Sequence, residues 1–378
     1  MRGANPLLRK INSLITAMIL ILYFAPAGLG YDVTDRFSIG GIIAGAYQYQ
    51  SVDTSSGSDN RGKGALPLQP EFSFRPTEKD ELFAKFGFAA GNALNDGTSP
   101  FVLAPWAADL ETDVKDIHGR GRDYLLTAWY KHTFKISSDN TVGLTGGIID
   151  GTDYLDENAF ANDEYTQFMN EALVNGPNGF APSYDLGGAV EWELGKWCVK
   201  GVVMNIGEND DGNNFTFLGV QLGYTLDTAI GEGNYRVIYE GSPNKAFSDP
   251  TGTTLETRHA VLLSFDQQFG NIIGGWIRFG TQTNDAATKY KSIYSGGINL
   301  SGALWGRVQD NIGIGYGYLH GANTGINYTQ VAEGYVRFAL NGILSITLDV
   351  QYMQDNYHPW AGDDIDGWIT GTRVTAEF

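Results

Sequence analysis

Apolar and polar residues alternate with a period of two from Arg36 to the C-terminus, which is the period of a β-strand. The clearest segment is 344–351, where Leu, Ile, Leu and Val share one face and Ser, Thr, Asp and Gln share the other. The same alternation occurs at 36–49, 261–268 and 311–318. Counting every such segment gives about sixteen candidates, so the sequence predicts an all-β protein of about sixteen strands.

The N-terminal residues have the pattern of a secretory signal peptide. Arg2, Arg9 and Lys10 are positive, 11–24 is mostly apolar and uncharged, and 25–30 contains small residues where a signal peptidase cuts. An N-terminal membrane anchor is the alternative, but the apolar run is short for a spanning helix. We therefore expect residues 1–30 to be a signal peptide that is removed from an exported chain.

After Tyr31 no stretch approaches the roughly eighteen apolar residues that a spanning helix requires. The exported chain is then either a soluble protein, such as a lectin-like sandwich, or a barrel that spans a membrane with strands. The connections favour the barrel. Tight turns, such as Asn341-Gly342, alternate with long polar loops, and this asymmetry is typical of outer-membrane barrels. The predicted long loops are 51–67, 91–121, 151–183, 242–255 and 355–366.

The last residues also fit a single closed antiparallel transmembrane β-barrel over residues 31–378, in the outer membrane of a Gram-negative cell. The last strand ends in Phe378, and an aromatic terminus resembles those of other barrel proteins. The connection 301–310 is an exception to the pattern of loop lengths, because it is long for a turn, so we expect a strand to begin near Ala303.

Composition excludes several functional classes. The formal net charge is -18, and loss of the three positive charges in 1–30 makes it about -21, which argues against nucleic acid or anionic lipids as partners. The one cysteine excludes a disulfide framework. The five histidines have no ligand spacing, and there is no Gly-x-Ser-x-Gly motif and no phosphate loop. We predict a protein without catalytic residues, metal or cofactor, and a barrel enzyme is the less favoured alternative.

One loop carries a recognisable motif: Asn162-Asp163-Glu164 followed by Gln167-Phe168-Met169-Asn170. Together with the later segments 276–280, 295–297 and 372–373, this resembles the carbohydrate-selective porin family, the OprB type, over residues 140–378. The resemblance implies an outer-membrane porin for passive diffusion of carbohydrates or similar small hydrophilic solutes, surrounded by outer-membrane lipids. A general or cation-preferring porin is the alternative. Large porins are often trimers, and monomers also occur in this family, so both states remain open.

The resemblance also implies that 151–183, the third long loop, folds into the lumen and constricts it. Phe160, Phe168 and Leu173 offer apolar anchors, and the spacing over 159–174 predicts a short helix. The alternative is a packed outer cap. If the loop lies in the lumen, its polar residues are candidates for lining the pore: Asp153, Asn162, Asp163, Glu164 and Gln167.

Three arginines on the polar faces of predicted strands are the other candidates for lining the pore. Arg278, Arg337 and Arg373 should point inward, because a charged side chain that faces lipid costs several kcal/mol near the midplane. In the lumen a guanidinium group can donate to sugar hydroxyls. Trp276 has the same parity as Arg278, so it is either a stacking surface for a sugar ring or an ordinary rim aromatic.

Overall fold

The computed structural model describes residues 31–54, 57–95 and 97–378, and the predicted signal peptide lies outside them. Twenty strands and one short 3₁₀ helix make up the regular structure of this part. The strands are β1 (Tyr31–Thr34), β2 (Phe37–Thr54), β3 (Gly57–Thr77), β4 (Asp80–Phe86), β5 (Phe88–Ala90), β6 (Leu125–Ser137), β7 (Asn140–Ile149), β8 (Asp185–Leu194), β9 (Trp197–Ile206), β10 (Phe215–Thr228), β11 (Gly231–Gly241), β12 (Phe247–Ser248), β13 (Leu255–Glu256), β14 (His259–Phe269), β15 (Ile273–Gln282), β16 (Tyr290–Ser301), β17 (Asn311–Gly321), β18 (Ile326–Ala339), β19 (Leu344–Tyr357) and β20 (Ile365–Glu377).

Eighteen of these strands form one antiparallel sheet that closes on itself where β2 pairs with β20. β1 is an N-terminal addition that pairs with β2, and β4 and β5 are two parts of one barrel strand interrupted at Gly87. The barrel therefore has sixteen strands, as the sequence predicted. At the seam Gly41 exchanges backbone hydrogen bonds with Phe378. Gly41 has φ 147°, and a Cβ there would lie 2.4 Å from the Gln69 carbonyl oxygen, so only glycine fits.

The barrel has its polar side chains inside and its apolar side chains outside. In β19, Leu348 and Val350 are exposed, whereas Thr347, Asp349 and Gln351 are buried in the interior. The barrel thus has an apolar outer surface and a polar lumen, as transmembrane barrels do. Among the described residues no helix is both long enough and apolar enough to cross a membrane.

The connections differ from the predicted loops in three places. Residues 51–67 are not a loop, because β2 continues to Thr54 and β3 begins at Gly57. Most of the tip of this hairpin is exposed, so both of its faces meet water and no alternation reveals the strands. Residues 242–258 contain the small β12–β13 hairpin. In 301–310 a 3₁₀ helix, Gly302–Trp305, precedes a strand that begins only at Asn311, and not near Ala303.

Candidate functional site

Two long connections lie inside the barrel and pack against its inner wall. We call them the first inner loop (91–124, between β5 and β6) and the second inner loop (150–184, between β7 and β8). The Pro105 carbonyl of the first loop accepts hydrogen bonds from the Gln48 and Gln351 amides, at 3.0 and 2.9 Å. Because both glutamines are buried on inward faces of strands, these contacts place the first inner loop in the lumen.

The second inner loop is held by a carboxylate on β18. The backbone amides of Met169 and Asn170 donate to the two Glu333 carboxylate oxygens, at 2.6 and 2.9 Å. The Asn170 side-chain amide donates to Gln351 on β19 at 2.9 Å. A loop inside a barrel has no strand partner for its backbone, so inward polar side chains satisfy it.

The two inner loops also bind each other. The Ala107 amide donates to the Met169 carbonyl at 2.8 Å, and the Glu171 amide donates to the Ala104 carbonyl at 3.1 Å. Trp106, fully buried, donates its indole N–H to the Glu164 carbonyl at 2.9 Å. The loops therefore form one connected body inside the lumen.

Arg278 and Arg373 point inward, but both are fully buried, with a relative exposure of 0%. Arg278 binds the Asp156 carboxylate at 2.8 Å and donates to the carbonyls of Leu173 and Ala161. Arg373 donates to the carbonyls of Glu164 and Gln167 in the same loop. This differs from the expectation that these arginines meet solute, because the second inner loop covers both guanidinium groups.

Trp276 is also covered by the second inner loop, with 2% of its surface exposed. Phe168 packs edge-on against it, with ring centroids 5.7 Å apart, and packs against Tyr335 at 5.1 Å. The Arg278 guanidinium lies 5.3 Å from the Trp276 ring centroid. In this structure Trp276 is a packing surface for Phe168, and it offers no open face to a sugar ring.

Arg337 lies near the rim of short turns. It donates to the Glu377 carboxylate at 3.1 Å and to the Ser345 hydroxyl at 3.2 Å, and 18% of its side-chain surface is exposed. Its inward parity agrees with the sequence pattern, but these contacts join β18 to β19 and β20 and do not hold the inner loops.

The predicted short helix over 159–174 is not formed, since these residues make turns. Asp163 binds the amides of Tyr165 and Thr166, and the Asn170 side chain binds the Ala172 amide. These side-chain contacts, with those of Glu333, occupy amides that a helix would use for its own hydrogen bonds.

Three cavities follow one another through the lumen. The lower cavity, at the rim of short turns, has a volume of about 890 Å³, the middle cavity about 300 Å³ and the upper cavity about 520 Å³. The lower and middle cavities share Asp150, Thr152, Glu164, Asn175 and Tyr184 as lining residues. The middle and upper cavities share Ala107, Asp109 and Glu171. Adjacent cavities thus meet at common walls, and the middle one lies between the two inner loops.

Most of the loop residues singled out from the sequence lie on these walls. Asp153, Asn162, Asp163 and Glu164 line the lower cavity. Gln167 instead supports the loop from within, because its side chain accepts from the Asn162 amide at 2.8 Å and donates to the Ala159 carbonyl at 3.0 Å.

The middle cavity is lined by six carboxylates: Asp109, Asp150, Asp156, Glu164, Glu171 and Glu240. None of the described residues that line it is a lysine, arginine or histidine. Burial raises the pKa of Asp109 to about 6, although the Tyr184 hydroxyl donates to it at 2.6 Å. Burial and the neighbouring Asp150 raise the pKa of Asp153 to about 7. Residues 31–54, 57–95 and 97–378 contain no group of three or more His, Cys, Asp or Glu side chains placed to hold a metal ion.

Comparison with known protein families decides what kind of barrel this is. The family model described as "Carbohydrate-selective porin, OprB family" matches residues 107–378. The chain belongs to this family. The porin is therefore an outer-membrane channel for small solutes such as sugars, and it is not an enzyme.

The porin is similar to individual proteins in sequence and in structure. The porin is similar to an uncharacterized protein of Aquifex aeolicus, with 29% identity over 311 residues, which cover 80% of this chain and 88% of that protein. A high-pH structure of OprB from Pseudomonas putida has a TM-score of 0.70 at 14% identity, covering 91% of this chain and 94% of that one. The outer-membrane channel DcaP of Acinetobacter baumannii has a TM-score of 0.56 at 10% identity, covering 93% and 100%. At these identities the two structures support the fold alone.

Sequence reasoning missed the inward position of the first inner loop and seven residues that line the shared walls of the porin's cavities. These residues are Ala107, Asp109, Asp150, Thr152, Glu171, Asn175 and Tyr184. The motif at 162–170 pointed to one inner loop only. The one usable sequence signal for the other was the length of the predicted loop 91–121, which exceeds what a barrel needs to connect two strands.

Proposed function

We propose that solutes cross this porin along the three consecutive cavities, and that the first and second inner loops together set the size limit. The proposal rests on the walls that adjacent cavities share. The wall around Thr152 lies between the lower and middle cavities, and the wall around Asp109 lies between the middle and upper cavities. Family membership supplies the solute class, carbohydrates and similar small hydrophilic molecules. The residues predicted from the sequence then divide into two roles: Asp153, Asp163 and Glu164 meet solute, and Arg278 and Arg373 hold the loop that carries them.

The polar but uncharged groups of the middle cavity suit sugar hydroxyls. Tyr184, Thr152 and Asn175 all line it. Hydroxyl and amide groups both donate and accept, so they replace the water that a sugar loses on entering a narrow passage. A general or cation-preferring porin is the second candidate, and the carboxylates of the middle cavity favour it.

Single-channel recording with a matched pair of variants tests the route. Thr152→Trp places an indole at the wall between the lower and middle cavities. Thr225→Trp is the control, since Thr225 lines a cavity of about 330 Å³ near β9–β11 that shares only Glu157 with the lower cavity and no lining residue with the middle one. We expect Thr152→Trp to reduce conductance and the rate of glucose-driven liposome swelling, and Thr225→Trp to leave both near the wild-type value. Equal effects of the two substitutions would contradict the route.

The solute assignment has its own measurement. Added glucose should reduce the single-channel current, because a sugar in the passage displaces ions. If glucose leaves the current unchanged and proteoliposomes do not swell in glucose, the carbohydrate assignment is wrong.

We also propose that residues 1–30 are removed on export and that outer-membrane lipids surround the barrel. The signal-peptide pattern supports the first proposal, and exposed apolar side chains such as Leu348 and Val350 support the second. N-terminal sequencing of the membrane protein tests the cleavage. Native mass spectrometry in detergent distinguishes a monomer from a trimer.

A further inference from the structure

The middle cavity is narrow, and its wall has six carboxylates and, among the described lining residues, no basic group. Of its six carboxylates, only Asp156 forms an ion pair within the described part of the chain, with Arg278. The others that are hydrogen-bonded use neutral donors. Asp109 accepts from the Tyr184 hydroxyl at 2.6 Å, Glu171 from the Ala104 amide at 2.9 Å, and Glu240 from the Phe180 amide at 2.6 Å. Neutral donors stabilise a carboxylate without cancelling its charge.

The basic groups nearest the middle cavity do not line it. Arg258 stacks on the Phe180 ring and donates to Gln282, and its charge still attracts Glu240 from outside the wall. Arg373 donates to carbonyls of the second inner loop, and Lys200 binds Glu157 at 2.6 Å. Lys85 lines the lower cavity and Lys289 lines the upper one, so each neighbouring cavity has a basic group on its wall and the middle cavity has none. A solute between the two inner loops therefore meets carboxylates, hydroxyls and amides.

We propose that this porin favours sugars that carry a protonated amine over neutral sugars of the same size, and favours neutral sugars over sugar acids. The inference rests on the proposed route. An ammonium group has three donors and no acceptor, so it matches carboxylate oxygens that lack a cation. Rings of carboxylates select cations in the same way in other channels. The ring hydroxyls of an amino sugar keep the contacts with Tyr184 and Asn175 that a neutral sugar would make.

The test is uptake of three labelled probes of similar size into proteoliposomes at neutral pH, with the membrane potential collapsed: glucosamine, glucose and gluconate. We expect the wild-type porin to take up glucosamine at least about ten times faster than gluconate, which corresponds to a difference of about 1.4 kcal/mol, with glucose between them. Asp109→Asn and Glu171→Gln remove one charge each and keep an acceptor oxygen. Each should lower the ratio of glucosamine to gluconate by about threefold or more, because a charge acts strongly where water is scarce.

Asp363→Asn is the matched control, because Asp363 is an exposed carboxylate in the loop 358–364. It should leave the ratio unchanged. Equal uptake of the three probes by the wild type, or equal effects of Asp109→Asn and Asp363→Asn, would overturn the inference. Glucose uptake above that of empty liposomes tests the proposed function separately. If glucose enters without any charge preference, only the further inference fails.

Discussion

Arg278→Met should release the second inner loop from the barrel wall without unfolding the barrel. Arg278 is fully buried, and its guanidinium holds Asp156 at 2.8 Å together with two loop carbonyls. Removing one partner of a buried ion pair typically costs about 3–5 kcal/mol, because the other charge stays buried without compensation. Since about 1.4 kcal/mol is a factor of ten, the population of undocked loop should rise by about two to three and a half orders of magnitude.

Single-channel recording in planar bilayers measures this population directly. A docked loop gives one conductance level, and undocking should add brief excursions to a higher level and raise the current noise. Arg337→Met is the matched control. Arg337 pairs with Glu377 at the rim, where both side chains are partly exposed, so the loss should be about 0–1 kcal/mol and the trace should stay quiet.

A double substitution separates the charge from the packing. In Arg278→Met combined with Asp156→Asn, position 156 no longer carries a charge that has lost its partner, so the excursions should be rarer than in Arg278→Met alone. A single Arg278→Met variant with the wild-type level and noise would refute the view that this arginine docks the loop. A double variant at least as noisy as the single one would show that the unpaired charge is not the cause.

Two further predictions concern pH and the first inner loop. The raised pKa values of Asp109, about 6, and Asp153, about 7, mean that both carboxyls gain protons as the pH falls from about 8 to about 5. The preference for potassium over chloride, measured as a reversal potential in a salt gradient, should therefore fall over this range, and a preference that stays constant would contradict a role for these groups. Replacing both Gln48 and Gln351 by Leu leaves the Pro105 carbonyl without its two donors, at a cost of about 1–3 kcal/mol. Limited proteolysis should then cut the first inner loop faster than in either single variant. Equal cutting rates would argue that the two glutamines do not hold the first inner loop.

The barrel could be predicted from the sequence because the same alternation of apolar and polar residues recurs in every strand. Each strand must put apolar residues toward lipid and polar ones toward the lumen, so the period of two recurs at every strand, as in 344–351. The inward direction of Arg278 and Arg373 follows from the same parity. Where the strands extend beyond the membrane, as in the hairpin formed by β2 and β3, both faces meet water and the signal disappears.

The interior of the lumen was not predictable to the same degree. The two-residue alternation of a strand predicts whether a side chain points into the lumen. It does not predict which residues that side chain contacts there. The spacing over 159–174 predicts a helix, but these residues form an irregular loop. Phe168 packs on Trp276, and the Leu173 carbonyl accepts from Arg278. Contacts with residues more than a hundred positions away in the chain decided the local backbone.

Buried charged side chains of both signs therefore form hydrogen bonds with the backbone of the second inner loop and are not available to the solute. Glu333 satisfies two loop amides, and Arg278 and Arg373 satisfy four loop carbonyls. The strand pattern assigns Arg278 and Arg373 to the wall of the pore. The second inner loop covers both, and the wall that remains in the middle cavity is acidic. The selectivity of the channel should then depend on the carboxylates that line the middle cavity. It should not depend on Arg278 and Arg373, which the strand pattern predicts as residues that line the pore.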